Sequence, residues 1–464
     1  MAKDDYSSAA NSPHTLRKRI TQGGQLFLAG FGIGQAIRLG SNLIVTRVLM
    51  PEAFGLMAAV VAFNVLAIMI TDIGISTSIV RSPNSNNPTF LRTAWTMNIL
   101  RNSLIWALVN LFAFTLAMLT KSGLALPAST FTDPLLPWLM AATAVQLIIA
   151  GFESTNKVMA ERRLEMRRLL PVELGTQLVA SVVTIAAAYS GFGVWSFVLA
   201  ILTGATFSTI CSHISFLFPG PGMKFCLDRT FVVEILNFGK WLILASFFGF
   251  MTNKGDHMIF GWAMESSQFG LYAVASIWIT AAFILLESIT RRLFYPAFSE
   301  ILRDRPEDIA NAYRQGRLAV DALAIFVGIG ILFFSDFVFK IIYPTNFSDA
   351  SYYLKLLSPI IILYPYRMLN YIILSSGNSK SFTLITFMTG FSALAVTPAM
   401  ISIFGENVGV VFFACVTATA LPAAWRITSK VMPIDWWAES RMVAAAAVVV
   451  AVLLSMGPAP APVS

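Results

Sequence analysis

Cysteine, histidine and charge are all scarce in this chain. Its three cysteines, Cys211, Cys226 and Cys415, are an odd number without CxxC spacing, which excludes a disulfide framework and a cysteine zinc site. The three histidines, His14, His213 and His257, are scattered, and no histidine–carboxylate cluster forms along the sequence. Walker A, HExxH and GxSxG patterns are absent, so these residues call for no enzyme chemistry, no metal and no cofactor. Charged residues are only 12% of the 464, against about 25% in soluble globular domains. What fills the space is apolar: 56% hydrophobic residues and a mean hydropathy of +0.72. Such a chain is an all-α polytopic membrane protein, and at about 20 residues per span it has room for roughly 12 to 14 helices.

Apolar runs place spans near 24–46, 54–80, 99–120, 134–152, 171–190, 193–216, 239–262, 268–290, 317–335, 351–374, 381–403 and 408–428. A weaker thirteenth run covers 442–457, with Trp436 and Trp437 before it as interfacial anchors. The expected organisation is a cytoplasmic segment 1–23, a six-helix bundle 24–216, a cytoplasmic linker 217–238, a second six-helix bundle 239–428, and a tail 429–464 with the extra helix. The first apolar run exceeds signal-peptide length and lacks an A-x-A site, so it reads as a retained span. With the N-terminus in the cytoplasm, 24 of the 32 Lys and Arg fall on the cytoplasmic side, 3 on the other, and 5 inside spans. That bias decides the orientation. It also accounts for the net charge of +8 without nucleic acid, since no basic module stands outside the membrane pattern.

Two cytoplasmic stretches, 156–170 and 296–315, read as amphipathic helices lying at the headgroup level with basic faces on anionic lipid. The segment 217–238 contains Pro-Gly pairs that break a helix and sits at mid-chain.

A shift of 215 residues lays "AFGLMAAV" (53–60) on "QFGLYAVA" (268–275) and brings Asp72 onto Glu287. Such internal symmetry is common in transporters. Both halves start from the same side, so the repeat is parallel, with its axis along the membrane normal. Placing a carboxylate inside a span costs about 2.5–3.5 kcal/mol at the helix centre, so each acid should face a cavity or a partner. Paired acids at the cytoplasmic mouth of a central cleft would gate it or couple it to an ion. The plainer alternative is local pairing with a basic neighbour, for Glu287 the i,i+4 partner Arg291.

The stretch "VTRVLMPEAFGLMAAVVAFNVLAIMITDIGISTSIVR" resembles the first hairpin of bacterial polysaccharide flippases, the Wzx and ExoT-like exporters of the multidrug/oligosaccharidyl-lipid/polysaccharide (MOP) superfamily. "ERRLEMRRLLPVELGTQLVASVVTIAAAYSGFGVWSFVLA" and "FYPAFSEILRDRPEDIANAYRQGRLAV" are similar to the family's entry to spans 5 and 6 and its loop after span 8. The resemblance covers most of 16–430. It implies two six-helix bundles around a central cavity that opens alternately to either side. The implied substrate is an undecaprenyl-diphosphate-linked oligosaccharide, moved across the inner membrane for exopolysaccharide, lipopolysaccharide or capsule synthesis. Implied companions are H+ or Na+ as coupling ion, membrane lipids, and a polysaccharide polymerase with its chain-length regulator.

Charges inside spans are the candidate site. Arg38, between Gly34 and Gly40, and Arg367, in "LYPYRMLNY", lie near mid-span. A guanidinium fork suits diphosphate oxygens, and Tyr364 and Tyr366 offer aromatic faces to sugar rings. Snorkelling or burial against a structural carboxylate is the competing role. Lys355 and Arg101, near span ends, fit that structural role better. "NKGDH" (253–257) brings Lys254, Asp256 and His257 together as a further binding or ion-coupling set, or an internal pair, and Asp321 joins the ion-coupling candidates. Two other functions remain: a drug or cation antiporter of the same superfamily, whose site should be dominated by acids and aromatics, and a non-transporting component of a polysaccharide synthase complex, which would need no central arginines.

Overall fold

At membrane depth a backbone must satisfy its own N–H and C=O groups, and helices do this within one segment. The computed structural model describes residues 30–121, 129–163 and 165–455, and among these no strand occurs. In chain order the helices are α1 (30–45), α2 (Pro51–Ile70), α3 (Ile75–Arg81), α4 (Pro88–Lys121), α5 (Leu136–Gly151), α6 (Thr155–Arg162), α7 (Met166–Tyr189), α8 (Trp195–Ser212) and α9 (Arg229–Ala263). They continue with α10 (Ser266–Asp304), α11 (Ile309–Ile342), α12 (Ala350–Leu357), α13 (Pro359–Ile362), α14 (Arg367–Ser375), α15 (Ser379–Phe404), α16 (Glu406–Ala414), α17 (Leu421–Thr428) and α18 (Trp436–Ser455). Among the described residues nine spans are long and apolar enough to cross a membrane, or up to 11 if each of two bent helix pairs is one span. This is a multi-pass all-α membrane protein. The first expected span, 24–46, begins outside the described residues, and the expected seventh lies within α9.

Two compact units divide the chain: one of residues 1–48, 64–124 and 134–246, the other of 49–63, 125–133 and 247–464. The division therefore falls within α2 and α9. Residues 217–238, read as a linker, are irregular only as far as Asp228, and Arg229 already starts α9.

In the first unit, interhelical polar contacts supplement the apolar packing. The Asn64 amide donates to the Thr143 hydroxyl at 3.1 Å, and the Trp95 indole N–H to the Phe152 carbonyl at 3.0 Å. The expected span 54–80 is broken. α2 ends at Ile70, and Asp72 lies in the break rather than inside the span. Its carboxylate accepts the Gly74 N–H at 2.9 Å, and Gly74 takes φ 62° and ψ 38°, a left-handed conformation that glycine adopts without steric cost. Arg101 closes the same helix end, donating to the carbonyls of Thr71 and Ile68, each at 2.8 Å. Arg162 does likewise for α3, donating to Ile79 and Ser82 at 2.9 and 2.8 Å. The stretch 156–170 is no single amphipathic helix: α6 bends by 69° from α5, and α7 begins afresh at Met166.

In the second unit α10 runs for 39 residues, through Pro296, and absorbs the first half of the other expected amphipathic stretch, 296–315. The second half belongs to a short turn and the start of α11. Two prolines break the tenth expected span. Pro359 opens α13, and Pro365 sits in a one-turn 3-10 segment, Tyr364–Tyr366, between α13 and α14. The result is a broken span, the most buried of those described. The two FGL segments of the repeat meet in this unit. A Cβ on Gly55 would lie 2.1 Å from the Ser266 carbonyl oxygen, and one on Gly270 would lie 1.8 Å from that of Pro51, so only glycine permits the crossing.

Candidate functional site

The 3-10 turn at Tyr364–Tyr366 sets the geometry of the candidate site. In that conformation residues i and i+3 eclipse, so Tyr364 and Arg367 share one side while Tyr366 points elsewhere. Tyr364 and Arg367 line a cavity of about 260 Å³ within the second unit. α9 adds Lys254 and Asp256, α10 adds Tyr272, Ser276, Thr280 and Phe283, and α16 adds Phe413. Two cations and several aromatic faces thus surround a space that would hold a headgroup rather than a lipid-linked oligosaccharide whole.

Arg367 is held from two directions. Its guanidinium carbon lies 4.6 Å from the centre of the Phe283 ring, and Nη1 is 3.6 Å from Glu287 Oε2. Glu287 in turn accepts the hydroxyls of Tyr371 at 2.7 Å and Tyr364 at 3.1 Å. The pairing expected with Arg291 is therefore replaced by one with Arg367, across to the broken span. Both members of the pair keep side-chain exposures of 27%, so the guanidinium retains an open side.

Asp256 and His257 are both buried at 8% exposure. Asp256 Oδ2 accepts the Tyr272 hydroxyl at 2.7 Å. His257 Nδ1 lies 2.9 Å from the same oxygen and has no hydrogen-bond partner. Asp256 Oδ1 has no hydrogen-bond partner either. Among the described residues no group of three or more His, Cys, Asp or Glu is arranged to hold a metal ion.

The other sequence candidates separate. Arg38 stands exposed on α1, in the first unit, without an ion pair to a described residue. Asp72 is the turn-forming acid already described, 4.0 Å from Arg101 and 3.3 Å from the Ser246 hydroxyl, which donates to it. Lys355 is buried against Asp336. Asp321 and Tyr366 belong to a buried polar cluster away from the cavity lining. There Arg317 Nε donates to Asp321 Oδ1 at 2.6 Å, and its guanidinium carbon lies 4.2 Å over the Tyr366 ring. Arg317 is the first residue of the expected span 317–335 and is counted among the 24 cytoplasmic Lys and Arg, yet it is 3% exposed. Glu439, on α18, completes the cluster and is not among the sequence candidates. The signal for both was local: Arg317 and Asp321 are spaced i,i+4 at the edge of an apolar run, and Glu439 stands three residues before the thirteenth run.

The fold is that of the MOP superfamily transporters. The structure is similar to an inward-closed lipid II flippase MurJ, with TM-score 0.65, 13% identity and 93% of each chain covered. It is also similar to an inward-facing multidrug resistance MATE family transporter, with TM-score 0.61, 14% identity and coverage of 90% of this chain and 98% of that one. A MOP superfamily transporter from Pyrococcus furiosus follows at TM-score 0.54 and 13% identity, with 92% of this chain and 96% of that one covered. Among curated proteins no sequence matches. The family profile described as polysaccharide biosynthesis protein matches residues 44–352, and the chain belongs to that family.

Proposed function

We propose that the protein flips an undecaprenyl-diphosphate-linked oligosaccharide across the cell's inner membrane by alternating access, with its N-terminus in the cytoplasm. The observation that carries this reading is the cavity with Arg367 and Lys254 on its wall and Tyr364 and Phe283 beside them. A diphosphate carries the charge these cations complement, and aromatic faces suit the adjoining sugar. Family membership in polysaccharide biosynthesis supports the substrate class, and the fold shared with a lipid II flippase is an analogy in the same direction. Asp256 and His257, beside the cavity, are the groups we assign to H+ or Na+ coupling. A polymerase and its chain-length regulator are the expected recipients downstream, on the outer side.

A cation antiporter would need an acid free to meet its substrate. Glu287 is already engaged by Arg367 and two tyrosines, and Asp256, whose Oδ1 has no hydrogen-bond partner, shares the cavity wall with Lys254 and Arg367, two cations that disfavour a cationic ligand. A synthase scaffold would not need a cation-lined cavity. Export by cells carrying Arg367→Ala or Lys254→Ala, the two cations on the cavity wall, distinguishes these. Each should reduce export about tenfold or more at normal protein level, since a hydrogen bond to a charged group is worth roughly 1.5–3 kcal/mol. Arg367→Lys should restore it only in part, because an ammonium keeps the charge and loses the fork. Full export by the double alanine variant would refute the site.

A further inference from the structure

The turn that carries Tyr364 and Arg367 into the cavity is held from behind. Pro365 has no N–H to give, so a single 3-10 turn between two short helices owes little of its rigidity to its own backbone. Its support comes from side chains on other elements. Arg317 of α11 lies over the Tyr366 ring, and its Nη1 is 3.3 Å from the Pro365 carbonyl oxygen, to which it donates. The Tyr366 hydroxyl donates to the backbone carbonyl of Glu439 on α18.

The Glu439 side chain then ties this backing together. Oε1 accepts the Tyr313 hydroxyl at 2.6 Å, while Oε2 accepts the Trp425 indole N–H at 3.2 Å and lies 3.4 Å from Arg317 Nη1. Arg317 and Glu439 are each 3% exposed, and Asp321 is 7% exposed. Shielded from water, these contacts are strong and directional, so displacement of one member should be felt by the rest. The residues on the far side of the same turn are those that line the cavity. Backing and binding residues share four consecutive positions, Tyr364 and Arg367 to the front, Pro365 and Tyr366 to the rear.

We propose that Glu439 and Arg317 are positioning residues for the substrate site: through Pro365 and Tyr366 they fix the direction in which Arg367 presents its guanidinium. The C-terminal helix α18 is thereby a strut of the binding site rather than an appendage to the bundle. This rests on the reading of Arg367 as the diphosphate-binding group.

A double-mutant cycle on the purified full-length chain tests it, with undecaprenyl diphosphate as the probe and its dissociation constant as the readout, alongside the melting temperature. Glu439→Ala should weaken binding about tenfold and Glu439→Gln less, because the amide keeps one acceptor for the cluster. In an Arg367→Ala background Glu439→Ala should weaken binding no further, since the group it orients is gone. If the losses simply add, or if Glu439→Ala lowers the melting temperature and leaves affinity alone, Glu439 is only structural and the proposal falls. If Arg367→Ala alone binds the probe normally, the site reading itself fails and takes the proposal with it. Should Glu439→Ala not fold, Tyr366→Phe serves the same cycle. It removes the hydroxyl contact to Glu439 and keeps the ring beneath Arg317. It should weaken binding a few-fold where Arg367 is present and not at all in the Arg367→Ala background, and an equal effect in both overturns the proposal.

Discussion

Asp72 and Glu287 stand 215 residues apart, at positions that one shift of the sequence aligns, and they do different work. Asp72 gives one carboxylate oxygen to its own turn and the other to the Ser246 hydroxyl. It accepts the Gly74 N–H and ends α2, with Arg101 capping the same helix end. Glu287 stays inside an uninterrupted helix and directs its carboxylate to three side chains of the broken span, Tyr364, Arg367 and Tyr371. The difference begins two residues on. Gly74 permits the left-handed turn that an Asp side chain can close, whereas the corresponding position holds Ile289, which disfavours that turn. A longer Glu side chain also reaches past its own backbone. Of two acids aligned by the same shift, one therefore builds a helix end and the other reaches to a cavity-lining residue. A repeat can keep the position of a charge while its immediate neighbours decide what the charge touches.

The comparison is broken most severely by Glu287→Ala. Arg367 would lose its partner, and Tyr364 and Tyr371 would lose their acceptor. Transport should fall about tenfold or more, because charged hydrogen bonds of roughly 1.5–3 kcal/mol orient the site. Transport per folded molecule at unchanged expression is the measurement, and normal transport would detach Glu287 from function. Arg101→Ala comes next. Leaving the carbonyls of Ile68 and Thr71 without their donor should cost about 1–3 kcal/mol of stability, read as a lower melting temperature, with transport per folded molecule retained. Gly74→Ala should be milder, about 1–2 kcal/mol for a non-glycine residue in the left-handed region, again seen in melting and not in transport. The smallest effect belongs to Asp72→Asn. Its amide oxygen can still accept the Gly74 N–H, so stability should change by under about 1 kcal/mol and transport by less than about twofold. A large transport defect in Asp72→Asn would show that the charge matters in both halves, and the contrast with Glu287 would disappear.

Much of the fold was legible because it rests on long apolar runs and on punctuation. Pro359 and Pro365 stand in the sequence where the tenth span breaks, and the FGL pair marked two segments that in fact cross one another at Gly55 and Gly270. The break after Ile70 was hidden within an apolar run: Asp72 and Gly74 were both visible, but a hydropathy window averages across a short turn. The bends between α5 and α6 and between α16 and the segment Val416–Thr428, 69° and 52°, were hidden in the same way. Of the candidate site, Arg367, Tyr364 and Lys254 could be named from their depth in spans. Their partners could not. Glu287 meets Arg367 from 80 positions away in sequence, and Glu439 reaches Arg317 from 122. A span-by-span reading has no term for which helices adjoin. Arg317 was misplaced for a related reason: a cation at the edge of an apolar run looks the same whether it snorkels to water or pairs in the interior.

The most direct test is transbilayer movement itself. The purified protein should be reconstituted in liposomes with a fluorescent undecaprenyl-diphosphate oligosaccharide, and the fraction of label reaching the opposite leaflet followed with time. The expected result is movement by the native chain, slowed about tenfold or more in Arg367→Ala and partly restored in Arg367→Lys. No movement by the native chain under any imposed H+ or Na+ gradient, or equal rates for the native chain and Arg367→Ala, would contradict it.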